Sequence, residues 1–342
     1  MKNKIKVLSL FDGISCGLVA LSKLGVNVER YVAYEIDEYA VSISKYNFPF
    51  IEHKGDVFNG DYTKYKGFDL LLGGSPCTFW SISKRNREIT PDGEGGKLFM
   101  QYVRALHESK CKYFLYENNY SIHKDIKDFI SSQLGVHPIM INSALVSGQQ
   151  RKRCYWTNIP NIIQPEDKHI LLQDILESGI SWLDKSYAYT TRCQAATFKD
   201  TLTRHRHTMI AEPVPPDVPI IYKDDTAYID SSKPIRVGQI GKGGQGQRIY
   251  SVKGKSVTLS ANGGGQGAKT GLYKIDLPDG NYMVRKLTPV EAERLQTLPD
   301  NYTAFGMDSN NKIKEIKNTR RYTAIGNGWT VDVIAWILKN II

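Results

Sequence analysis

Short apolar runs recur along the chain, separated by longer mixed segments of helical spacing. The runs at 5–10 (IKVLSL), 28–34 (VERYVAY), 68–72 (FDLLL), 113–116 (YFLY) and 138–144 (PIMINSA) are too short for helices. Apolar runs of this length, stopped by glycine, acidic or asparagine residues, suit buried strands of a parallel sheet. Between them 18–24, 98–106 and 122–134 predict helices. A helix start follows at Thr288-Pro289-Val290-Glu291, with Thr288 as N-cap, Pro289 at the first helical position and Glu291 closing a capping box. Val331–Leu338 predicts the last helix. Strand alternating with helix means an α/β fold with a Rossmann-like sheet.

Two stretches break this pattern. The polar segment 78–97, with Gly93, Glu94, Gly95 and Gly96, predicts a long flexible loop. Residues 161–282 lose clear periodicity. They hold Pro213, Pro215, Pro216 and Pro219, the glycine-rich stretches GQIGKGGQGQR and SANGGGQG, and interleaved tyrosines and basic residues. This composition predicts a smaller, irregular strand-and-loop domain. The expected division is 1–160, 161–284 and a return to the first domain over 285–342. The basic alternating run 149–156 (QQRKRCYW) reads on its own as an edge strand with solvated charges.

Length and charge narrow the function. A chain of 342 residues fits one large α/β domain and a smaller one. No apolar run is long enough to cross a bilayer. The start, MKNKIKVLSLF, imitates a signal peptide, but its apolar part is short and enters an acidic glycine turn without a cleavage-type site. It is read as a first strand. The five cysteines, Cys16, Cys77, Cys111, Cys154 and Cys193, are odd in number and lack CxxC spacing. That argues against a disulfide framework or zinc site and for a reducing cytoplasm. His205 and His207 read as polar surface rather than metal ligands. The net charge of +10 suggests a polyanionic partner.

Candidate chemistry gathers at the ends of the expected strands, where open α/β sheets bind ligands. The first strand leads into FDGISCG, a glycine turn opening a helix. Its spacing is not GxGxxG, and Asp12 would repel a phosphate. A ligand with a cationic amino acid part, such as S-adenosylmethionine, suits it better. Glu35 ends the second strand at the distance where an acid takes ribose hydroxyls. Ile36 would pack on an adenine face, and Asp56 in the turn Gly55-Asp56-Val57 would accept from an adenine amino group. Each acid alone reads equally as a helix cap or a solvated loop residue. After the third run stands Cys77, held from behind by Pro76. It is a candidate nucleophile or a buried structural thiol.

Taken together, the motifs FDGISCG, YEID, GDV, GGSPC, ENN, QQRKR, RKLTPVEAERLQTLP and AIGNGW resemble, in order and over nearly the whole chain, the cytosine-C5 DNA methyltransferase family. FDGIS, GGSPC and GNGWTV look closest to the branch with the animal de novo enzymes and their phage and bacterial relatives. Asn119 departs from the valine usual after Glu-Asn. The resemblance implies a SAM-dependent methyltransferase sheet built from both chain ends, with a target-recognition domain between them. It implies Cys77 as nucleophile toward C6 of cytosine, Glu117 as holder of a proton for N3, and Arg151 and Arg153 as supports for the base oxygen and the loop around Cys77. S-adenosylmethionine would meet Phe11, Asp12, Gly13, Gly17, Leu18, Glu35, Ile36, Asp56, Val57, Pro76, Leu98, Asn327, Gly328 and Trp329, and would leave as S-adenosylhomocysteine. DNA would meet Ser81, Ser83, Lys84, Arg85, Arg192, Arg204, Arg236, Gln245 and Arg248. The expected partner is double-stranded DNA, with the base flipped out of the stack. The expected protein is monomeric, cytoplasmic in a bacterium or phage-infected host, and paired with a restriction endonuclease where it serves restriction-modification. Two alternatives stand beside this: a tRNA methyltransferase of the same fold, and a DNA-binding relative without turnover. The middle region of about 120 residues favours DNA over tRNA, and the intact Cys77, Glu117, Arg151 and Arg153 favour an enzyme.

Overall fold

The apolar runs assemble into one seven-stranded sheet. The structure, a computed structural model, describes residues 4–81, 86–181, 183–191, 207–213 and 285–341, and the backbone of strands between 220 and 284. The strands are β1 (Ile5–Leu10), β2 (Val28–Tyr34), β3 (Glu52–His53), β4 (Leu70–Gly73), β5 (Tyr113–Asn119), β6 (Ile139–Asn142) and β7 (Lys152–Thr157). Their order is β3-β2-β1-β4-β5-β7-β6. The first five pair in parallel, and β7 runs antiparallel to both its neighbours. The chain winds outward from β1 in one direction and from β4 in the other. The loops after these two adjacent strands therefore part at their carboxyl ends and leave a crevice there.

Side chains alternate across the sheet and build a core on each face. Val7, Tyr31, Leu70, Leu72 and Leu115 pack with α1 (Cys16–Lys23) and α2 (Glu38–Asn47). Leu8, Leu10, Val32, Leu71 and Tyr116 pack with α3 (Glu94–Ser109) and α4 (Lys124–Leu134). The C-terminal stretch supplies α5 (Pro289–Leu295), α6 (Asn318–Asn327) and α7 (Val331–Leu338). Val333, Ile334, Ile337 and Leu338 of α7 bury in the same core as Val7 and α1, so the two chain ends close one body. The expected capping box is present: Thr288 accepts from the Glu291 N–H, and Glu291 from the Thr288 N–H.

Four sequence expectations change. The basic run is not an edge strand; β7 lies between β5 and β6 and takes ladder bonds on both sides. The loop after Cys77 ends sooner, because Glu94, Gly95 and Gly96 form the first turn of α3. Glycine normally weakens a helix, but a Cβ on Gly95 would lie 2.5 Å from the Trp80 indole nitrogen, and one on Gly96 would overlap the Pro91 carbonyl. Glu88 caps this turn, accepting from the Glu94 and Gly95 N–H groups at 3.1 Å each. The middle region is more regular than its composition suggests. It holds a six-stranded sheet of β8 (Met209–Pro213), β9 (Ile220–Tyr222), β10 (Arg236–Ile240), β11 (Arg248–Ser251), β12 (Leu272–Leu277) and β13 (Gly280–Lys286), ordered β8-β13-β12-β11-β10-β9. Finally, the chain just after 161 packs with the large body: Leu172, Ile175 and Tyr189 share a core with Leu287, Leu295 and Ile325.

Candidate active site

Three loops meet at the carboxyl end of the large sheet. The first follows β1. Phe11, Gly13 and Ser15 all have positive φ, near 56–59°, so the chain folds back tightly before α1 begins. Non-glycine residues rarely adopt this region without compensation. The compensation is the buried Asp12 carboxylate, which accepts from Ser9 Oγ (2.6 Å), Ser15 Oγ (2.5 Å) and Tyr31 OH (2.6 Å). Burial raises the Asp12 pKa, and the three hydroxyls oppose that shift. Asp12, expected to face a cationic ligand, thus spends its carboxylate on the turn itself. Gly17 lets α1 approach β4, since a Cβ there would lie 2.5 Å from Leu72 Cδ1. Leu18 is buried behind it.

Glu35 closes the turn from the end of β2. Its Oε2 accepts from Gly13 N and its Oε1 from the Ile36 and Asp37 N–H groups, all within 2.8–2.9 Å. Burial raises its pKa, and these backbone donors pull the other way. Beside it Ile36 is 76% exposed, an apolar side chain with nothing covering it. Asp56 accepts from Phe58 N and so caps the short turn beginning at the buried Val57. Leu98 is half-buried on α3.

The second loop carries the thiol. Gly73 faces the Tyr102 ring and Leu10 O, where a Cβ would lie at 2.6 and 3.1 Å. Ser75 Oγ bonds Tyr116 OH at 2.6 Å, and Asn118 Nδ2 donates to Ser75 O at 3.4 Å. These neighbours on β5 hold the loop, and sequence reasoning did not single them out. Pro76 and Cys77 are exposed beyond it. The other described cysteines, Cys16, Cys111 and Cys154, are buried. Burial pushes the Cys16 thiol up to about 12 and Cys111 to about 11, which removes both as nucleophiles at neutral pH.

The third loop joins α6 to α7. Asn327 is exposed, Gly328 buried and Trp329 half-buried. A Cβ on Gly328 would lie 3.1 Å from Cys16 Sγ, so the third loop packs against the start of α1. Across the crevice Glu117, on β5, receives Arg153 Nε at 2.9 Å on Oε1 and Trp329 Nε1 at 3.0 Å on Oε2. Arg151 does something else. Its buried guanidinium donates to the carbonyls of Tyr189 (2.6 Å), Gly328 (3.0 Å) and Gly326 (3.3 Å). It therefore ties β7 to the third loop and to the chain entering the middle region. It does not offer its donors to a base, as the sequence reading expected. Burial lowers its pKa to about 10, helped by the charge of Arg153.

Most of the DNA contacts expected from sequence lie outside the described residues. Ser81 is half-buried at the end of the thiol loop, where its N–H donates to Cys77 O at 2.8 Å. Ser83, Lys84, Arg85, Arg192, Arg204 and Gln245 lie outside the described residues, as do Cys193 and His205. Arg236 and Arg248 open β10 and β11, which pair antiparallel. Among the described residues no helix is long and apolar enough to cross a membrane.

The family profile of C-5 cytosine-specific DNA methylases matches residues 5–342. The chain belongs to that family. It is 27% identical over 348 aligned residues to the type II methyltransferase M.HhaI of Haemophilus parahaemolyticus, spanning 98% of this chain and 94% of the relative. It is 28% identical to the orphan methyltransferase M.Rho11sI of Bacillus phage rho11s, over 81% of this chain and 61% of that one. A shorter match, 36% over 32% of this chain, joins it to the DNA (cytosine-5)-methyltransferase DRM2 of Arabidopsis thaliana. Among solved structures, the methyltransferase EhMeth of Entamoeba histolytica shares the fold across 99% of this chain and 98% of its own, with a TM-score of 0.60 and 14% identity. The protein is a DNA cytosine-C5 methyltransferase with the Rossmann-like sheet of such enzymes.

Proposed function

We propose that the protein methylates C5 of a flipped-out cytosine in double-stranded DNA, using S-adenosylmethionine as donor and Cys77 as covalent nucleophile. The observation that carries this reading is the contrast among the thiols. Cys77 alone of the described cysteines is exposed, on a loop at the carboxyl end of β4 resting on Glu117.

The chain's residues fit the cofactor. After its three backbone bonds Glu35 keeps a lone pair on Oε2, enough for one ribose hydroxyl, and the bare Ile36 offers an apolar face for an adenine. Phe11, Gly13, Val57, Leu98 and the turn Asn327-Gly328-Trp329 would complete the pocket. When bound, the cofactor supplies an electrophilic methyl group.

C5 of cytosine is a poor nucleophile. Addition of the Cys77 thiolate to C6 makes C5 enamine-like, and this splits one difficult step into easier ones. Glu117 would give a proton to N3 as negative charge develops there, and would recover it later. After the methyl group reaches C5, loss of the C5 proton expels Cys77 and restores the ring. Arg153, fixed on Glu117, adds positive potential beside both groups. The target carbon is unreachable in a stacked duplex, so the base must leave the helix. The sheet of the middle region, 161–284, would read the flanking bases, and the Arg151 bond to Tyr189 O would hold its entry near the crevice.

The test is duplex DNA carrying 5-fluorocytosine, which has no removable C5 proton, so the adduct persists. Peptide mapping of the trapped complex places the nucleotide on Cys77, and Cys77→Ala binds DNA without adduct or transfer. An adduct on another residue, or full activity in Cys77→Ala, overturns the reading. tRNA offered in parallel separates the RNA-directed alternative.

A further inference from the structure

The indole of Trp329, from the third loop, stands between Glu117 and the thiol loop. Its N–H reaches Glu117 Oε2 at 3.0 Å, while Glu117 Oε1 takes Arg153. A Cβ on Gly74 would lie 3.4 Å from that indole nitrogen, 3.2 Å from Glu117 Oε2 and 2.9 Å from Glu117 O. Gly74 is thus the glycine that lets the Cys77 loop lie on the Trp329–Glu117 pair. Next to it in the chain, Gly328 packs on the Cys16 sulfur at the start of α1, where a Cβ would lie at 3.1 Å.

Resting on the function proposed above, we infer that Trp329 is a positioning residue for Glu117, beyond any part it plays in walling the cofactor pocket. An arginine beside a carboxylate favours a two-point, fork-to-fork pairing. Here Arg153 holds Glu117 through Nε on one oxygen, and the indole holds the other from across the crevice. The ion pair on one oxygen and the indole bond on the other stop the carboxylate from rotating into the fork. Each oxygen keeps a lone pair, and the group stays presented to a base entering above Gly74. Because the same residue ends the loop beside α1, a shift of that loop on cofactor binding reaches the proton-handling group directly.

Trp329→Phe keeps a ring and removes the N–H. Loss of one hydrogen bond to a charged group should slow adduct formation on 5-fluorocytosine DNA by roughly tenfold to a hundredfold. SAM affinity by calorimetry should stay near that of the wild type. An adduct rate matching wild type, or a loss confined to SAM affinity, overturns the inference. A second measurement needs no folded Trp329 variant. The Trp329 indole proton, one of five in the chain, should resonate downfield in the wild type and move upfield in Glu117→Gln. An unmoved signal overturns the inference as well. If the wild-type enzyme forms no Cys77 adduct, it is the proposed function that fails. If wild type and Trp329→Phe form it equally, only the role of Trp329 fails.

Discussion

Replacing Arg151 with methionine sets two large effects against each other. Arg151 is 5% exposed, and burial of its charge is costly enough to bring its pKa down to about 10. A methionine of similar length removes that cost, and exchanging buried ionic groups for apolar ones is often neutral. The partners decide the balance. They are the backbone carbonyls of Tyr189, Gly326 and Gly328, which no side-chain change can delete. A buried carbonyl left unpaired costs about 1–3 kcal/mol. Gly328 O keeps Gln296 Nε2 as a second donor at 3.3 Å, so the Tyr189 and Gly326 carbonyls bear the loss, and after the relieved charge and some entry of water the net cost is about 2–4 kcal/mol. Against a total stability of about 5–15 kcal/mol this is large, and in a chain this size it lowers Tm by roughly 3–6 °C. Circular dichroism on heating measures it. Arg151→Lys keeps the charge but offers a point instead of a fork, so it should recover less than half of the loss. A methionine variant melting within about a degree of wild type would refute the assignment of those three bonds as the joint between β7, the third loop and the middle region.

Two further perturbations test the cofactor turn and the fold. Glu35→Gln loses the charge and turns an amide NH2 toward either Gly13 N–H or the Ile36 and Asp37 N–H groups, and it should weaken SAM binding by roughly tenfold or more; unchanged affinity by calorimetry would remove Glu35 from the pocket. His53 has no hydrogen-bond partner on either ring nitrogen, and burial, then the charge of Lys45, pushes its pKa from 6.5 down to about 4. The unfolded chain therefore takes the proton first, so stability is full above about pH 6.5 and falls as pH drops toward 4. His53→Phe should flatten that acid limb in urea melts at pH 7 and pH 5, and an equally steep loss in the variant would show that another group causes it.

The parts of this protein legible in its sequence are those decided locally. Central parallel strands are buried on both faces, so they leave apolar runs, and β1 and β2 span the residues those runs predicted. The motifs at the strand ends also named residues that meet in the fold: Glu117 with Arg153 and Trp329, and Glu35 with the turn after β1. What escaped depends on partners far away in the chain. The glycines at 93–96 read as a loop because glycine weakens helices, yet the Trp80 indole and the Pro91 carbonyl leave no room for any other residue there. The alternation in QQRKRCYW is the same for an edge strand as for an inner one. Only the ladders to β5 and β6 decide which it is, and they set Arg153 beside Glu117, while Arg151, just before the strand, bonds three carbonyls.

The same logic separates the two residues that a motif treats alike. Arg151 and Arg153 stand two apart on one extended segment, so pleating alone directs both side chains to the same face. Their fates differ because the chain just before β7 lies under the third loop, where carbonyls of α6 and its following turn point at Arg151, while one step along the strand the neighbour is a carboxylate. A buried guanidinium takes whichever acceptors surround it. Arg151 therefore contributes by holding backbone, and its loss should appear in stability. Arg153 contributes by holding Glu117, and its loss should appear in the adduct step while Tm stays near wild type. If Arg153→Met melted as early as Arg151→Met, with adduct formation spared in either, that division of labour would be wrong, and both arginines would belong to the scaffold.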